Sequence, residues 1–267
     1  MTDTFGFKNS YEFNDLVDII HRLRAPGGCP WDAEQTHQSI KKNLIEETYE
    51  VIEAINKVDS SMLCEELGDL LMQVVLHAQM EDEAGSFSIN NVADAVCKKL
   101  IERHPHVFGQ TDVSSVQEVL INWDEIKRKS KGHNNTSQAM MSVPKELPAL
   151  MRSEKIQKKA ADCGFDWPDI TGAVQKLSEE VDELKAALLE ENEVHIAEEL
   201  GDLLFSAVNV SRFAGLDAEE VLTAATDKFI KRFEVVEETA TREKVDMKTA
   251  TIEKLNLLWD IAKLEKG

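Results

Sequence analysis

The chain has 267 residues and carries fifty Asp and Glu against thirty Lys and Arg, a net charge of −20. That balance excludes long polyanions as partners, because a basic face dominates nucleic-acid affinity. A hydrophobic content of 42% supplies real cores. No apolar run approaches the ~20 residues a membrane helix needs and no basic-then-apolar leader opens the chain, so a cytoplasmic protein with no membrane partner is expected.

The four cysteines, Cys29, Cys64, Cys97 and Cys163, form no CxxC pair and read as reduced thiols. Glycine, proline and aromatics are sparse while Leu, Ala, Glu and Lys abound. That composition favours helices, and neither a strand pattern nor a phosphate-binding glycine loop stands out.

In chain order, residues 11–24 alternate at helical spacing (Phe13, Leu16, Val17, Ile20, Leu23) and break at Ala25-Pro26-Gly27-Gly28-Cys29-Pro30. The two prolines and two glycines predict a loop ending in Trp31-Asp32. A helix is expected from near Thr36, turning Ile40, Leu44, Tyr49, Ile52 and Ile55 to a core. Asp59 caps the next, over about 61–84, with Leu63, Leu67, Leu70, Leu71, Val74 and Val75 on its buried stripe. A third runs from about Ile89 to Arg103 and ends at His104-Pro105-His106. Val116, Leu120, Trp123 and Ile126 mark a last amphipathic piece.

Residues 130–148 change to small polar residues followed by Pro144 and Pro148, and read as a linker between domains 1–129 and 149–267. The second half repeats the scheme: a lead-in from 149, a loop at 163–168, helices at about 171–190, 193–214 and 217–243, and a tail with Trp259. The fold expected is all-α, a tandem duplication of one helical bundle.

The duplication is sharpest in its acids. Glu46-Glu47-x-x-Glu50 and Glu65-Glu66-x-x-Asp69 return as Glu179-Glu180-x-x-Glu183 and Glu198-Glu199-x-x-Asp202, at a constant offset of 133 positions. Residues three apart share a helix face. A short connection at 57–61 makes the two helices antiparallel neighbours, so Glu47, Glu50, Glu66 and Asp69 can converge, as can Glu180, Glu183, Glu199 and Asp202. Converging carboxylates repel unless neutralised, and hard oxygen donors without His or Cys suit Mg²⁺, or Mn²⁺.

The bland alternative is that Glu-rich surface helices make such pairs by chance. Recurrence in register, beside core-edge Leu67 and Leu70, argues against it. Gly68 and Gly201 each cost a helix about 1 kcal/mol against alanine. Close packing or ligand access would explain them, as would shared ancestry. A di-iron bundle would need paired Glu-x-x-His motifs. Glu34–His37 is a lone match, without a counterpart in the second half.

Cation pairs four apart, Lys99/Arg103 and Lys228/Arg232, repel each other unless something anionic sits there. Salt bridging and phosphate binding are both open readings. Trp123 and Trp259 could stack a base or plug a core. His104 and His106 read as a helix-ending turn, and His77 as a packing residue.

Gly28-Cys29-Pro30-Trp31-Asp32, the two acid patterns, and Arg103-His104-Pro105-His106-Val107-Phe108-Gly109 closely resemble the MazG family of all-α nucleoside triphosphate pyrophosphohydrolases. The resemblance covers nearly the whole chain. It implies Mg²⁺-dependent hydrolysis of (d)NTPs, ATP included, to a monophosphate and pyrophosphate. It also implies a homodimer that completes the active bundle, and a role in nucleotide pools.

By this resemblance the second half carries the activity. Glu180, Glu183, Glu199 and Asp202 hold metal, and Glu179 or Glu180 orients water. Lys176, Lys228 and Arg232 contact triphosphate beside Glu198, and Trp259 stacks the base. His195 stands where relatives have a phosphate-binding lysine. A second site in the first half would use Glu47, Glu50, Glu66, Asp69, Lys99, Arg103 and Trp123, although Glu53 there is matched by Ala186. The alternatives are catalysis mainly or also in the first domain, and a non-catalytic helical scaffold that senses metal or nucleotide.

Overall fold

The computed structural model describes residues 6–119, 122, 123, 126 and 135–265. They form helices with no strand among them, and the chain divides into two compact units, Met1–Lys127 and Arg128–Gly267.

The first unit contains α1 (Phe13–Arg24), α2 (Pro30–Glu34), α3 (Lys41–Lys57), α4 (Ser60–Glu83), α5 (Ile89–Arg103) and α6 (Pro105–Phe108). Where a plain loop was expected, Pro30 starts the short α2, because proline's fixed φ suits the first helical position. α3 begins five residues later than predicted. Thr36 and Ser39 exchange side-chain-to-backbone hydrogen bonds across a turn that competes with the helix. Arg24 closes this region: its guanidinium donates to the carbonyls of Asp32 (2.5 Å) and Gln35 (3.2 Å) and to both Glu83 oxygens (2.9 Å each). Gly28 is required there, since a Cβ would lie 2.2 Å from the Arg22 carbonyl oxygen.

α3 and α4 form the central hairpin. Val58 ends α3 in the left-handed region at φ 55°, and Asp59 caps α4 by accepting from the amides of Ser61 (2.9 Å) and Met62 (3.1 Å). α1 and α5 pack on α4, and the core gathers Ile20, Ile40, Val75, Leu76 and Met80. Burying such side chains contributes about 1.5–3 kcal/mol each.

The second unit contains α7 (Thr136–Met141), α8 (Ala149–Asp162), α9 (Ile170–Leu189), α10 (Glu193–Phe213), α11 (Ala218–Glu243) and α12 (Ile252–Glu265). Part of the expected linker is therefore helical: α7, capped by the Asn135 side chain, packs on α8. The α9–α10 hairpin repeats the first unit's turn with different residues. Glu191 takes the left-handed position at φ 53°, and Asn192 caps α10. Before this hairpin, Asp166 accepts two bonds from Arg212, at 2.6 and 3.0 Å. α11 packs against α8, α10 and α12, over a core of Val235, Val236, Ala240, Leu258 and Ala262.

The predicted stripes are only half buried. Val51 and Ala54 face the interior of α3, whereas Tyr49, Ile52 and Ile55 are exposed, as are Leu67, Leu71 and Val74 on α4. α5 buries no residue, and α11 exposes Val221, Leu222, Phe229 and Ile230. Within one chain each bundle leaves an apolar face uncovered.

Candidate active site

Each hairpin brings three of its four predicted carboxylates together. Oxygens of Glu47, Glu66 and Asp69 lie within 4.8 Å of one another, and so do those of Glu180, Glu199 and Asp202. The helical rise explains this: Glu66 and Asp69 share one face of α4, and Glu47 faces them from antiparallel α3. Glu50 and Glu183 stand one turn further on, at the rim and exposed.

The two clusters sit in different fields. In the first unit, burial and the neighbouring charges of Asp69 and Glu50 push the Glu47 carboxyl above its ordinary range. Burial and the charges of Glu50, Glu65 and Asp69 do the same to Glu66. Gln73 hydrogen-bonds Glu47 but leaves its own Oε1 buried without a partner.

In the second unit the acids carry internal counter-ions. Lys176 Nζ lies 2.8 Å from buried Glu180 Oε1, 3.6 Å from Glu183 and 3.8 Å from Glu179. Its hydrogen bond to Glu180 raises the ammonium's pKa. His195 bridges Glu190 and Glu199 at 3.0 Å through its two ring nitrogens. The bond to Glu190, with the Glu199 charge, raises its pKa. At the 133 offset, the first unit has Asn43 for Lys176 and Met62 for His195. Six oxygen-bearing side chains across two clusters thus form two hard-donor sets, one unneutralised and one capped by cations.

The remaining predicted residues fall elsewhere on the bundles. Lys228 and Arg232 lie on α11, and among the described residues no ion pair joins either to the carboxylates; the Arg232 Nε is buried without a partner. Lys99 and Arg103 occupy α5 in the same manner, with the Arg103 guanidinium over the Trp123 ring at 5.0 Å. Trp259 packs on the second core and tilts against Phe229 at 5.1 Å. Glu198 is exposed beside the cluster. A Cβ at Gly68 or Gly201 would meet nothing within 4 Å, so close packing inside the chain does not account for these glycines.

His104 ends α5 as expected, its Nδ1 bonding the Leu100 carbonyl at 2.7 Å. His77 does more than pack. It meets His37 at 2.7 Å between Nδ1 atoms, and His37 reaches Glu81 at 2.8 Å. The i,i+4 spacing of His77 and Glu81 was the legible trace of this cluster, and His37 had no such trace.

The MazG nucleotide pyrophosphohydrolase domain matches this chain twice, over residues 35–108 and 170–237. The chain belongs to the MazG family. It is 44% identical over 94% of its length to "Nucleoside triphosphate pyrophosphohydrolase/pyrophosphatase MazG" of Thermotoga maritima, covering 95% of that protein. It is 41% identical over 96% of its length to the "Nucleoside triphosphate pyrophosphohydrolase" of Escherichia coli K12, covering 98% of it. It also shares 46% identity with the uncharacterized protein YabN of Bacillus subtilis, 52% of which it spans. The first MazG match begins before α3 and the second at the first residue of α9, and each contains its hairpin. No helix among the described residues is long and apolar enough to cross a membrane.

Proposed function

We propose that this protein hydrolyses nucleoside triphosphates, ATP and deoxynucleotides included, between the α- and β-phosphates, with the α9–α10 hairpin as the main catalytic centre. The observation that carries this reading is the convergence of Glu180, Glu199 and Asp202 beside two cations in a MazG domain.

The donor set fits a magnesium ion: three carboxylates converge, and the equivalent cluster without cations holds Glu47 and Glu66 above their ordinary pKa. Glu180, Glu199 and Asp202 would hold the ion, with Glu183 at the rim. When bound, it supplies charge neutralisation for the polyanion and polarises the phosphoryl oxygens.

The chain's own groups do the rest. Lys176 and His195 now cap the carboxylates, and both are positioned to turn toward phosphate oxygens once those carboxylates are otherwise engaged. Glu179, exposed next to buried Glu180, orients the attacking water and accepts its proton. Lys228 and Arg232 stabilise the leaving pyrophosphate, and the half-buried Trp259 stacks on the base.

Among the described residues, Lys228 and Arg232 of α11 have no ion pair with the clustered carboxylates, and α11 leaves Val221, Leu222, Phe229 and Ile230 uncovered. A second copy of this chain, covering that face, completes the bundle and brings cations and carboxylates together. A cytoplasmic role in nucleotide pools follows from this reading.

The test is a panel of ribo- and deoxynucleoside triphosphates with Mg²⁺ or Mn²⁺, with products identified. Monophosphate and pyrophosphate are expected. Orthophosphate as the product, or no release with any nucleotide under either metal, would remove the reading.

A further inference from the structure

The first unit holds a second feature that its twin lacks. A cleft of about 430 Å³ opens between α3, α4 and α5, walled by Leu44, Val74, Phe87 and Val92, with His37, His77 and Glu81 along one side. The His37 and His77 rings lie nearly parallel, edge to edge, with centroids 5.0 Å apart and planes at 5°. At the 133 offset the second unit has Ile170, Val210 and Ala214, so the polar row is replaced by an apolar one.

The protons in this row can be assigned. His77 Nε2 is buried with no hydrogen-bond partner, which a bare lone pair tolerates better than an N–H. Burial and the neighbouring His37 also lower the His77 pKa, consistent with a neutral ring. His77 then carries its proton on Nδ1 and donates to His37 Nδ1 at 2.7 Å. His37, with Nδ1 as acceptor, donates from Nε2 to Glu81 Oε1 at 2.8 Å. Every ring nitrogen of His37 is used. Glu81 Oε2 has no hydrogen bond among the described residues, and offers an acceptor at the edge of an apolar, ring-sized cleft.

The cleft continues the carboxylate groove. On α3, Leu44 lies one turn before Glu47; on antiparallel α4, Val74 directly follows Gln73, which bonds Glu47. A ring held in the cleft therefore sits at the end of the hairpin groove that holds Glu47, Glu66 and Asp69.

We propose that this cleft binds the base of a nucleotide carrying an exocyclic amine, adenine or cytosine, with Glu81 Oε2 accepting from the amine. The aliphatic walls and Phe87 take the ring faces, and His37 fixes the carboxylate's orientation by holding its other oxygen. In the same pose a uracil or thymine would set its O4 carbonyl against Glu81, two acceptors without a proton between them, and only a shifted ring could offer its N3–H instead. The choice of a nucleobase rests on the nucleotide reading above; the cleft and its acceptor do not. The first unit thereby becomes a nucleotide-binding module whose base preference is set apart from the second unit's.

The experiment uses the full chain with ¹³C-labelled histidine rings and follows the His37 and His77 signals by NMR. The probes are adenosine, cytidine and uridine, added without metal. Both signals are expected to move with adenosine and cytidine at concentrations about tenfold below those needed with uridine, the worth of one hydrogen bond. Glu81→Gln, whose oxygen stays with His37 and whose amide N–H then faces the cleft, is expected to remove that preference or turn it toward uridine, while the ring signals stay dispersed as in the parent. No movement with any nucleoside, an equal response to uridine, or a preference unchanged in Glu81→Gln overturns the proposal. Absence of pyrophosphate release alongside normal ring shifts would remove the hydrolase reading and leave the cleft standing.

Discussion

The two hairpins hold the same carboxylates at the same spacing, yet one cluster is short of positive charge and the other is not. Around Glu47, Glu66 and Asp69 the matched positions are Asn43 and Met62; around Glu180, Glu199 and Asp202 they are Lys176 and His195. Like charges close together raise one another's pKa, as Glu47 and Glu66 show. A cation inside the cluster removes that repulsion and can afterwards serve a phosphate. The lesson is that duplicated carboxylates do not make duplicated electrostatic environments. The second hairpin carries its own cations, Lys176 and His195, whereas the first has none at the matched positions and adds a polar row, His37, His77 and Glu81, beside its acids.

The largest effect should separate the two clusters by activity. Glu180→Gln is expected to lower kcat/KM for pyrophosphate release by about a hundredfold or more, about 2.7 kcal/mol of transition-state stabilisation. Glu47→Gln should change it less than about threefold, on the same scale. The reverse ranking would make the first hairpin the catalytic one.

Metal response should come next. A cation bound only to the folded state stabilises by up to about 2.7 kcal/mol at a hundred times its Kd. Hydrogen exchange with and without Mg²⁺ should therefore show a larger gain in protection for α3 and α4 than for α9 and α10. Asn43→Lys with Met62→His, which grafts the second unit's cations onto the first, should shrink that gain. Equal protection in both parent hairpins would mean the internal cations do not matter to metal binding.

Acidity offers a smaller handle. Carboxyls with raised folded pKa bind more protons folded than unfolded, so without metal the first hairpin loses stability as pH rises from about 4.5 through the raised values. His195 works at a different pH. Its raised pKa contributes stability fully present below about 6.5 and lost as pH climbs through the folded value. Exchange protection measured against pH should thus fall as pH rises from about 4.5 for α3–α4 and as it rises from about 6.5 for α9–α10. Coincident profiles would contradict the difference in charge.

The smallest effects concern the backbone. Gly68→Ala and Gly201→Ala should each raise thermal stability by up to about 1 kcal/mol, since the new methyl meets open space. If Gly201 is kept for a ligand or a second copy, activity falls while stability rises. Val58→Gly, relieving a β-branched residue at φ 55°, should add about 1 kcal/mol as well; the matched Glu191→Gly tests whether both turns carry the same strain.

Much of the site was legible because helical geometry is local. Spacing of three puts Glu66 with Asp69, and a short connection, Val58 and Asp59 in the structure, folds α4 back along α3, so the convergence of three acids in each cluster is legible in the sequence. The boundaries of α4, α5, α9 and α10 are also readable, to within a residue, from caps and apolar period. What escaped was set by groups distant in the chain. His37 meets His77 forty residues away, and the start of α3 was displaced by the Thr36–Ser39 turn. The burial of Tyr49, Ile52 and Leu67 was overcalled, because periodicity marks an apolar face without saying what covers it.

The sequence by itself determined the helical class, the duplication and the placement of four acids on each hairpin, since each follows from period, composition and register along a single helix pair. Only the tertiary structure decided which cluster is neutralised from within, that Gly68 and Gly201 face open space, and that His37 closes a hydrogen-bonded row over an apolar cleft. Those outcomes depend on burial and on which side chains meet across helices, and one-dimensional spacing does not encode either.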